Sequence, residues 1–509
     1  MKNIFSKNLK KTLLNRKCFS NKNIAFIALG SNLGKRFENF LRCSKLIEEK
    51  AFGKILKTSQ IYESPCMNEN YEIMEKENKF INAVIKFETS LKPLDLLKAC
   101  KEIEFHFKRK PKTNYYEQRE IDIDILTYNN DSIDLKDTES NLTLNIPHPR
   151  LYERLFVLKP LLDIDINLKI IDSRTQKLIS VKTILNNLIN QKYFREVVNF
   201  IPDNVNFYDK LSMMNKVFFL NSSRQTEKYF DVSKKTLLMA TINCTPDSFS
   251  IGWMKEINHL DKIIEYLVKN IEKIDIVDIG GESTRPGAMC IEPLEELNRI
   301  YPLIEKIKAN ETLKDVPISI DTRKSLVAKE VVKLGVDIIN DVSACRYDPE
   351  MIDVISDNNL PYICMHSRAT PDKMLNKEFL SYSHDVMKEV NKELEDSINE
   401  IKIKRDKKSN ILDWNVIVDP GLGFSKNTEH NFELIRNLNE MKQNFSNIIL
   451  IGHSKKKFIR EILNVDVNKT LPGDIVVANT AISKGANIIR VHDVENIGLA
   501  VKISDKIYK

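Results

Sequence analysis

Glycine is scarce in this chain, and long apolar runs are absent. There are 14 glycines in 509 residues, and none lies between Gly53 and Gly252; the usual share is about 7%. No run approaches the roughly 18–20 consecutive apolar residues that a membrane-spanning helix needs, so we expect no membrane partner. Because the few glycines are clustered, we expect them at positions where the backbone geometry demands them.

Paired cysteines are also missing. The eight cysteines, at positions 18, 43, 66, 100, 244, 290, 345 and 364, form no CxxC pair and follow no regular spacing. This pattern excludes a disulfide scaffold and a zinc site of paired cysteines. It predicts reduced, mostly buried thiols in an intracellular protein.

The formal net charge of +7 belongs to the amino-terminal end of the chain. Residues 1–23 carry seven Lys or Arg side chains and no acid, so the remainder is electrically neutral. A basic, acid-free stretch with hydroxyl residues and no long apolar core predicts a transit peptide and a mitochondrial location. The alternative is a disordered Lys/Asn-rich start on a cytoplasmic protein. A nucleic-acid partner would follow only from the raw total charge, so we expect none.

Residues 24–165 predict an α+β sandwich in the order strand, helix, strand, strand, helix, strand. The strands with the clearest patterns are 24–29, 79–89 and 121–128, and the helices are 36–50 and 93–107. This order favours one sheet covered by helices. Residues 166–232 lack glycine and strong motifs, and we interpret them as closing elements and a connector.

Residues 233–509 predict a different fold, a (β/α)8 TIM barrel. Short apolar strands occur at 237–243, 274–280, 316–321, 337–342, 361–366, 415–420, 447–454 and 487–493. Eight such strands separated by crossover helices in about 270 residues indicate a closed parallel barrel. Polar residues end seven of the strands: Asn243, Asp321, Asn340, His366, Asp419, Ser454 and His492. Barrel active sites are built at the carboxyl ends of the strands, so these residues predict a pocket.

In the first domain, Asp122 and Asp124 lie two residues apart on a predicted strand and therefore face the same side. Two hard oxygen ligands at this spacing suit Mg²⁺ ions that bridge phosphates. An acidic, solvated strand face is the alternative. Cationic side chains nearby favour a metal–triphosphate site; they include Arg109, Arg119, His148, Arg150 and Arg154.

Five ordered motifs in this domain resemble those of the 6-hydroxymethyl-7,8-dihydropterin pyrophosphokinase family. They are ALGSNLG (28–34), YESP (62–65), KFINAV (79–84), REIDIDIL (119–126) and PHPRLYERLFVLKPL (147–161). The resemblance implies a ferredoxin-like fold of the pyrophosphokinase type and transfer of diphosphate from ATP to the pterin, with release of AMP. It makes Asp122 and Asp124 the ligands of two Mg²⁺ ions. It also implies phosphate and nucleotide contacts from Arg109, Arg119, His148, Arg154 and Glu104, and pterin contacts from Ser64, Pro65, Phe80, Asn82, Tyr116 and Phe156.

The barrel strand ends carry a second set of chemical groups. Asn243 offers a neutral oxygen that can ligate Mg²⁺ beside an anionic leaving group. The stretch DIGGESTRPGA (278–288) offers backbone amides, hydroxyls and a guanidinium that can cradle a diphosphate; the side chains are Ser283, Thr284 and Arg285, with Arg490 and His492 on the last strand. Asp321, Asn340, Asp419 and Lys456 can hydrogen-bond the amino-pyrimidinone edge of a pterin.

Together with DPGLGFSKN (419–427) and GHSKKKFI (452–459), these strings resemble the dihydropteroate synthase family over 234–509. That reaction displaces diphosphate from the dihydropterin with the amine of p-aminobenzoate. The resemblance implies that Met365 packs against the pterin and that one Mg²⁺ ion and the diphosphate bind at Asn243. It places p-aminobenzoate beside Phe249, Gly423, Phe424 and Ser454.

These observations predict a bifunctional folate-biosynthesis enzyme that uses ATP, the hydroxymethyl-dihydropterin and p-aminobenzoate, and that pairs as a homodimer through the barrel. One alternative is a synthase whose amino-terminal kinase domain is an inactive structural relic. Pro111 and Glu117–Gln118, which depart from the kinase pattern, suggest it. Another is a barrel that carries a methyl group on a reduced folate. The diphosphate cradle argues against that reaction.

Overall fold

A computed structural model of the protein describes residues 22–68, 72–107, 118–172, 175–190, 213–220, 227–245, 259–383, 385–404 and 412–509. The chain divides into two compact units. The first comprises Met1–Thr58 and Ser64–Met213, and the second comprises Ser59–Glu63 and Met214–Lys509. Within the described part of the chain, no helix is long and apolar enough to cross a membrane.

The first unit is built on an antiparallel sheet whose central strands are Asn23–Ser31 and Phe80–Thr89. The order of the four strands in space is Gly53–Thr58, Phe80–Thr89, Asn23–Ser31 and Asp122–Tyr128. In chain order this is the 4-1-3-2 arrangement of a ferredoxin-like fold, with a helix after the first strand and another before the last. The α+β prediction is therefore confirmed.

Two helices cover this sheet because each has an apolar face. Helix Arg36–Lys50 buries Phe40, and helix Pro93–His106 buries Ile103. Proline at the start of the second helix lacks an N–H that would have no intrahelical partner there. The other elements of the unit are strands Ile133–Asp137, Leu142–Ile146, Lys169–Ile171 and Leu178–Ser180, the 3-10 turn Leu151–Glu153, and helices Leu155–Ile164 and Val181–Asn190.

The second unit contains a closed parallel barrel of eight strands, as predicted. The strands are Leu237–Asn243, Ile276–Gly280, Ile318–Asp321, Ile338–Asp341, Tyr362–Met365, Val416–Asp419, Ile448–Gly452 and Ile488–Val491. Around them lie helices His259–Lys269, Pro293–Ala309, Ser325–Val332, Met351–Asp357, Val386–Lys404, Thr428–Arg436, Leu438–Asn444, Lys457–Leu463, Leu471–Ser483 and Val494–Tyr508, and 3-10 turns Lys377–Leu380, Asp413–Asn415 and Val467–Lys469. Every strand begins within two residues of its predicted start, because continuous apolar runs mark strands that are buried on both faces.

A hairpin from the predicted connector belongs to the barrel core. Strands Asn215–Phe219 and Tyr229–Asp231 pair with each other, and Phe218 joins a buried cluster with residues near the starts of the barrel strands, including Leu237 and Ile338. Residues 61–63 pair with the hairpin as a further antiparallel strand. The barrel unit is thus completed by segments that precede its first strand.

Candidate active sites

In the first unit, the strand Asp122–Tyr128 presents two carboxylates, each paired with a different arginine. Arg119 Nη1 donates to Asp122 Oδ2 at 2.7 Å, and Arg154 Nη1 donates to Asp124 Oδ2 at 2.8 Å. His148 Nε2 lies 3.8 Å from the same Asp124 oxygen. The structure therefore brings together the predicted aspartates and three of the predicted phosphate-binding cations.

The electrostatics of this cluster keep Asp124 ionised. Burial alone would raise the pKa of its carboxyl, but the charges of Arg154, His148 and Lys101 outweigh burial and lower the pKa to about 2. Burial lowers the pKa of His148, although Asp124 opposes that shift. An ionised carboxylate beside a second one is a hard oxygen donor set, which is the kind that Mg²⁺ prefers.

Glu104 lies behind the carboxylates, not in an open cleft. Its side chain is buried, accepts a hydrogen bond from the Ile123 N–H at 2.9 Å and pairs with Lys101 at 2.9 Å. Ile123 separates the two aspartates on their strand. Through these contacts Glu104 fixes the strand that presents the two aspartates.

Gly30 lies next to the aspartates on the sheet, among residues that the sequence predicts to contact the pterin. On the sheet Gly30 is opposite both Asn82 and Asp122. A Cβ atom at Gly30 would lie 3.6 Å from Asn82 Oδ1 and 3.9 Å from Phe80 Cδ1, so Gly30 is in direct proximity to both side chains. Asn82 Nδ2 donates to Ser64 Oγ at 2.9 Å. Pro65 follows Ser64, and Phe156 lies 5.7 Å from the Arg154 guanidinium.

Three predicted site residues lie outside the described part of the chain. They are Arg109, Tyr116 and Phe249. Their assignments to the nucleotide, the kinase pterin and p-aminobenzoate stay predictions.

In the second unit, Arg490 ties together carboxylates from two other barrel strands. Its Nε donates to Asp278 Oδ2 at 2.6 Å, and its Nη2 donates to Asp321 Oδ2 at 2.7 Å. Asn340 Nδ2 donates to Asp278 Oδ2 at 3.3 Å. Three predicted residues, Asp321, Asn340 and Arg490, thus share one polar cluster at the carboxyl ends of the strands. Asp278 is at its centre, and the sequence interpretation gave Asp278 no role.

Burial shifts the pKa values of the groups that surround this pocket. It raises the pKa of Asp321 to about 7 against the opposing charge of Arg490, and it raises the pKa of Asp419 against the charge of Lys456. Burial also lowers the pKa of Lys456 to about 8, while Asp419 opposes the shift. Groups with such perturbed pKa values in a barrel mouth are typical of functional sites.

The loop after Asp419 forms one wall of the pocket. Gly421 has φ +67°, and a Cβ there would lie 2.0 Å from the His366 carbonyl oxygen, so only glycine fits. Gly423 has φ +81° and lies against the Lys456 side chain, whose ammonium is 4.8 Å from the Phe424 ring centre.

This wall is held by two residues that the sequence predicted and by one, Lys426, that sequence interpretation did not select. Phe424 packs with Met365 in a small apolar cluster. Lys426 is buried, and its Nζ donates to His366 Nδ1 at 2.8 Å and to the Phe424 carbonyl at 2.9 Å. Lysines in loops are usually exposed to solvent, so the sequence around Lys426 did not indicate that this side chain is buried. Asp278 could have been found, because it lies in a strand-end motif with several polar residues.

The first and last barrel strands bring a third group of predicted residues together. Asn243 Nδ2 lies 3.5 Å from His492 Nε2, and the His492 N–H donates to Ser454 Oγ at 3.3 Å. Ser283 and Thr284 are half-buried, and Arg285 is exposed. Burial, followed by the charge of Arg490, holds the pKa of His492 well below its ordinary value.

Among the described residues, no group of three or more His, Cys, Asp or Glu side chains is arranged to hold a metal ion. The pair Asp122 and Asp124 still fits Mg²⁺, because this ion is commonly bound by one or two carboxylates together with water and substrate phosphates. The amide oxygen of Asn243 could bind Mg²⁺ in the same way, as the one protein ligand beside water and substrate phosphates.

Comparisons with known proteins match each unit to an enzyme family. The 7,8-dihydro-6-hydroxymethylpterin-pyrophosphokinase family model matches residues 26–166, and the pterin binding enzyme model matches residues 239–492. A folate synthesis bifunctional protein of Arabidopsis thaliana is 33% identical over 493 residues, which cover 94% of this chain and 95% of the relative. A mitochondrial folate synthesis bifunctional protein of the same plant is 34% identical over 489 residues, covering 94% and 82%.

The solved structures agree with the fold. Plasmodium falciparum HPPK-DHPS, wild type with pteroate, has a TM-score of 0.66 at 21% identity, covering 96% of this chain and 98% of that chain. The two family matches occur in the same order as the two charged clusters described above. The chain therefore belongs to the family of bifunctional folate synthesis proteins, in which a pyrophosphokinase domain precedes a pterin-binding barrel.

Proposed function

We propose that this chain catalyses two consecutive steps of folate synthesis. In the first, the hydroxymethyl oxygen of the dihydropterin attacks the β-phosphorus of ATP, the bond from that phosphorus to the α-phosphate oxygen breaks, AMP leaves, and the proton of the hydroxyl group is released. In the second, the amine of p-aminobenzoate attacks the pterin methylene carbon, the carbon–oxygen bond to diphosphate breaks, and a proton is released. The observation that carries the proposal is that each family-matched unit contains its own cluster of carboxylates paired with cationic side chains.

In the kinase site, Asp122 and Asp124 would hold Mg²⁺, with two ions as our expectation. What Mg²⁺ supplies when bound is neutralisation of charge on the transferred phosphates. Arg119, His148 and Arg154 would release their present contacts with the aspartates, in part or fully, and bind phosphate oxygens. The pterin ring would bind beside Gly30. Its contacts would come from Ser64, Pro65, Phe80, Asn82, Phe156 and Tyr116, with Arg109 at the nucleotide and Glu104 supporting the strand of the aspartates from behind.

In the synthase pocket, Asp321, Asn340, Asp419 and Lys456 would orient the pterin ring. Asp and Asn side chains match the amino and ring N–H donors of a pterin, and the Lys456 ammonium matches its carbonyl or ring nitrogen. Met365 would pack against the ring face. The buried setting strengthens each of these hydrogen bonds, because the effective dielectric constant is lower there than in water.

The leaving group would be bound at the rim of the same pocket. Ser283, Thr284, Arg285, Arg490 and His492 would stabilise the negative charge that develops on the departing diphosphate. Asn243 would supply an oxygen to one Mg²⁺ ion beside it. p-Aminobenzoate would enter against Gly423, Phe424 and Ser454, with Phe249 nearby, and its neutral amine needs no general base to attack.

Two properties of the whole protein complete the proposal. Relatives from Arabidopsis thaliana and Pisum sativum are named as mitochondrial, which supports a transit peptide over residues 1–23.

The last helix carries exposed apolar residues four positions apart, Leu499, Ile503 and Ile507. An apolar stripe of this kind is self-complementary across a two-fold axis, so we expect a second copy of the chain to cover it. Sedimentation of the parent and of an Ile503→Glu variant tests this.

The two activities are tested separately by crossing one variant of each site with each assay. Asp122→Ala should abolish AMP release from ATP and hydroxymethyl-dihydropterin and leave the synthase rate with preformed pterin diphosphate unchanged. Lys456→Ala should give the opposite pattern. A parent chain that releases no AMP would mean that the kinase domain is an inactive structural relic.

A further inference from the structure

The loop that carries Ser283, Thr284 and Arg285 is closed at its base by the side chain of its own first residue. Glu282 Oε1 accepts a hydrogen bond from the Ile291 N–H at 3.0 Å, across a sequence separation of nine residues. Glu282 is 8% exposed. One carboxylate thus joins the beginning and the end of this loop.

Two buried cations hold that carboxylate in place. Arg323 Nε lies 3.1 Å from Glu282 Oε2, and Lys324 Nζ lies 3.3 Å from Oε1. Both follow the neighbouring barrel strand Ile318–Asp321. Burial would raise the pKa of Glu282, but its hydrogen bond with Arg323 and its other contacts lower it. The carboxylate is therefore charged and anchored to the barrel, not only to the loop.

The start of the loop is fixed independently. The Gly281 carbonyl accepts a hydrogen bond from Arg299 Nη1 at 3.0 Å, on helix Pro293–Ala309. A Cβ at Gly281 would lie 2.9 Å from both Glu296 Cγ and the Glu296 carbonyl oxygen. The backbone is therefore held against this helix at the start of the loop, the Gly287 N–H donates to the Pro371 carbonyl at 3.0 Å in the middle, and the Glu282 contact holds the far end.

We infer that Glu282 is a positioning residue that pre-forms the diphosphate-binding loop. The inference rests on the proposed role of Thr284 and Arg285 in binding the leaving group. A loop whose ends are joined before binding loses less conformational freedom when the diphosphate arrives, so its affinity is higher. The groups that face the pterin ring lie on other strands. Loss of the Glu282 contact should therefore weaken binding of diphosphate and spare binding of the pterin.

The test measures two inhibition constants of the synthase reaction in the full chain, with preformed dihydropterin diphosphate and p-aminobenzoate as substrates. Inorganic diphosphate probes the loop, and 6-hydroxymethylpterin, which lacks diphosphate, probes the ring pocket. In Glu282→Gln we expect the inhibition constant of diphosphate to rise about tenfold or more, as for loss of a hydrogen bond to a charged group. The constant for the pterin should stay within about twofold of the parent value.

Glu296→Gln is the matched control, because Glu296 pairs with the same Lys324 at 2.6 Å and is fully buried but does not join the loop ends. An equal rise in both inhibition constants, or the same rise in Glu296→Gln, would overturn the inference in favour of a general structural effect. If Glu282→Gln fails to fold, Glu282→Asp keeps the charge beside Arg323 and shortens the reach to Ile291. It should show the same selective rise.

Arg285→Ala separates failure of this inference from failure of the proposed function. A rise in the diphosphate constant for Arg285→Ala without one for Glu282→Gln overturns the positioning role alone. No rise in either variant overturns the proposed role of the loop in binding diphosphate, and the inference with it.

Discussion

Asp278 offers the sharpest test of how the synthase pocket is built. Its buried carboxylate accepts hydrogen bonds from Arg490 Nε at 2.6 Å and from Asn340 Nδ2 at 3.3 Å. Asp278→Asn keeps the shape of the side chain and removes its charge. Both hydrogen bonds end on Oδ2, so the amide oxygen can still accept them, and the contact that the variant loses is the ion pair with the Arg490 guanidinium.

The size of the effect follows from the contact that is lost. A hydrogen bond to a charged group contributes about 1.5–3 kcal/mol, and about 1.4 kcal/mol corresponds to a factor of ten. We therefore expect kcat/KM for the pterin diphosphate to fall by about 10- to 100-fold in Asp278→Asn. The negative charge of Asp278 also raises the pKa of Asp321, after burial and against Arg490. Its removal should move the acidic limb of the pH profile to lower pH.

The assay follows dihydropteroate formation from preformed pterin diphosphate between about pH 5 and 9, with AMP release as an internal control for the kinase. Asp337→Asn is the matched variant, because Asp337 is another buried barrel aspartate but accepts a hydrogen bond from the Ile318 N–H at the start of a strand. A parental kcat/KM in Asp278→Asn, or an equal loss in Asp337→Asn, would refute the reasoning.

Three further predictions address the walls and the base of the barrel. Gly421→Ala forces a Cβ to within 2.0 Å of the His366 carbonyl at φ +67°, so p-aminobenzoate turnover should be lost and the melting temperature should fall; parental values would contradict the geometry. The pKa of Lys456 is about 8, so the side chain loses its charge as the pH rises through that value. KM for the pterin diphosphate should therefore rise above about pH 8 in the parent and should not change with pH in Lys456→Arg. Phe218→Ala removes a buried ring from the hairpin and should lower the free energy of unfolding by about 3–5 kcal/mol in urea titration; a change under 1 kcal/mol would mean that the hairpin is dispensable.

The barrel was predictable because its signal is local and repeated. Each strand is a short apolar run, and seven of the eight predicted strands end in a polar residue; both features are visible in the sequence without knowledge of the partner strands. The hairpin around Phe218 was not predictable in this way. Its strands are three to five residues long. Their apolar side chains pack against the starts of barrel strands that come later in the chain, and a short apolar stretch does not reveal those partners.

The same distinction between local patterns and distant contacts applies to the residues of the candidate sites. Residues in dense motifs, such as Asp122 and Asp124, could be selected from spacing and neighbouring cations. The roles of Asp278, Glu282 and Lys426 could not be assigned in this way, although Asp278 lies in a strand-end motif, because the contacts that reveal these roles join distant positions in the sequence. A buried charge that is satisfied by remote partners has the same appearance in a sequence as a solvated one.

The central claim, that one chain carries two connected activities, is tested most directly by supplying only the first substrates. The full chain is incubated with ATP, Mg²⁺, 6-hydroxymethyl-7,8-dihydropterin and p-aminobenzoate, and AMP and dihydropteroate are quantified together over time. We predict that both form, with dihydropteroate following AMP towards equal amounts. Dihydropteroate that forms only when preformed pterin diphosphate is added would contradict the claim.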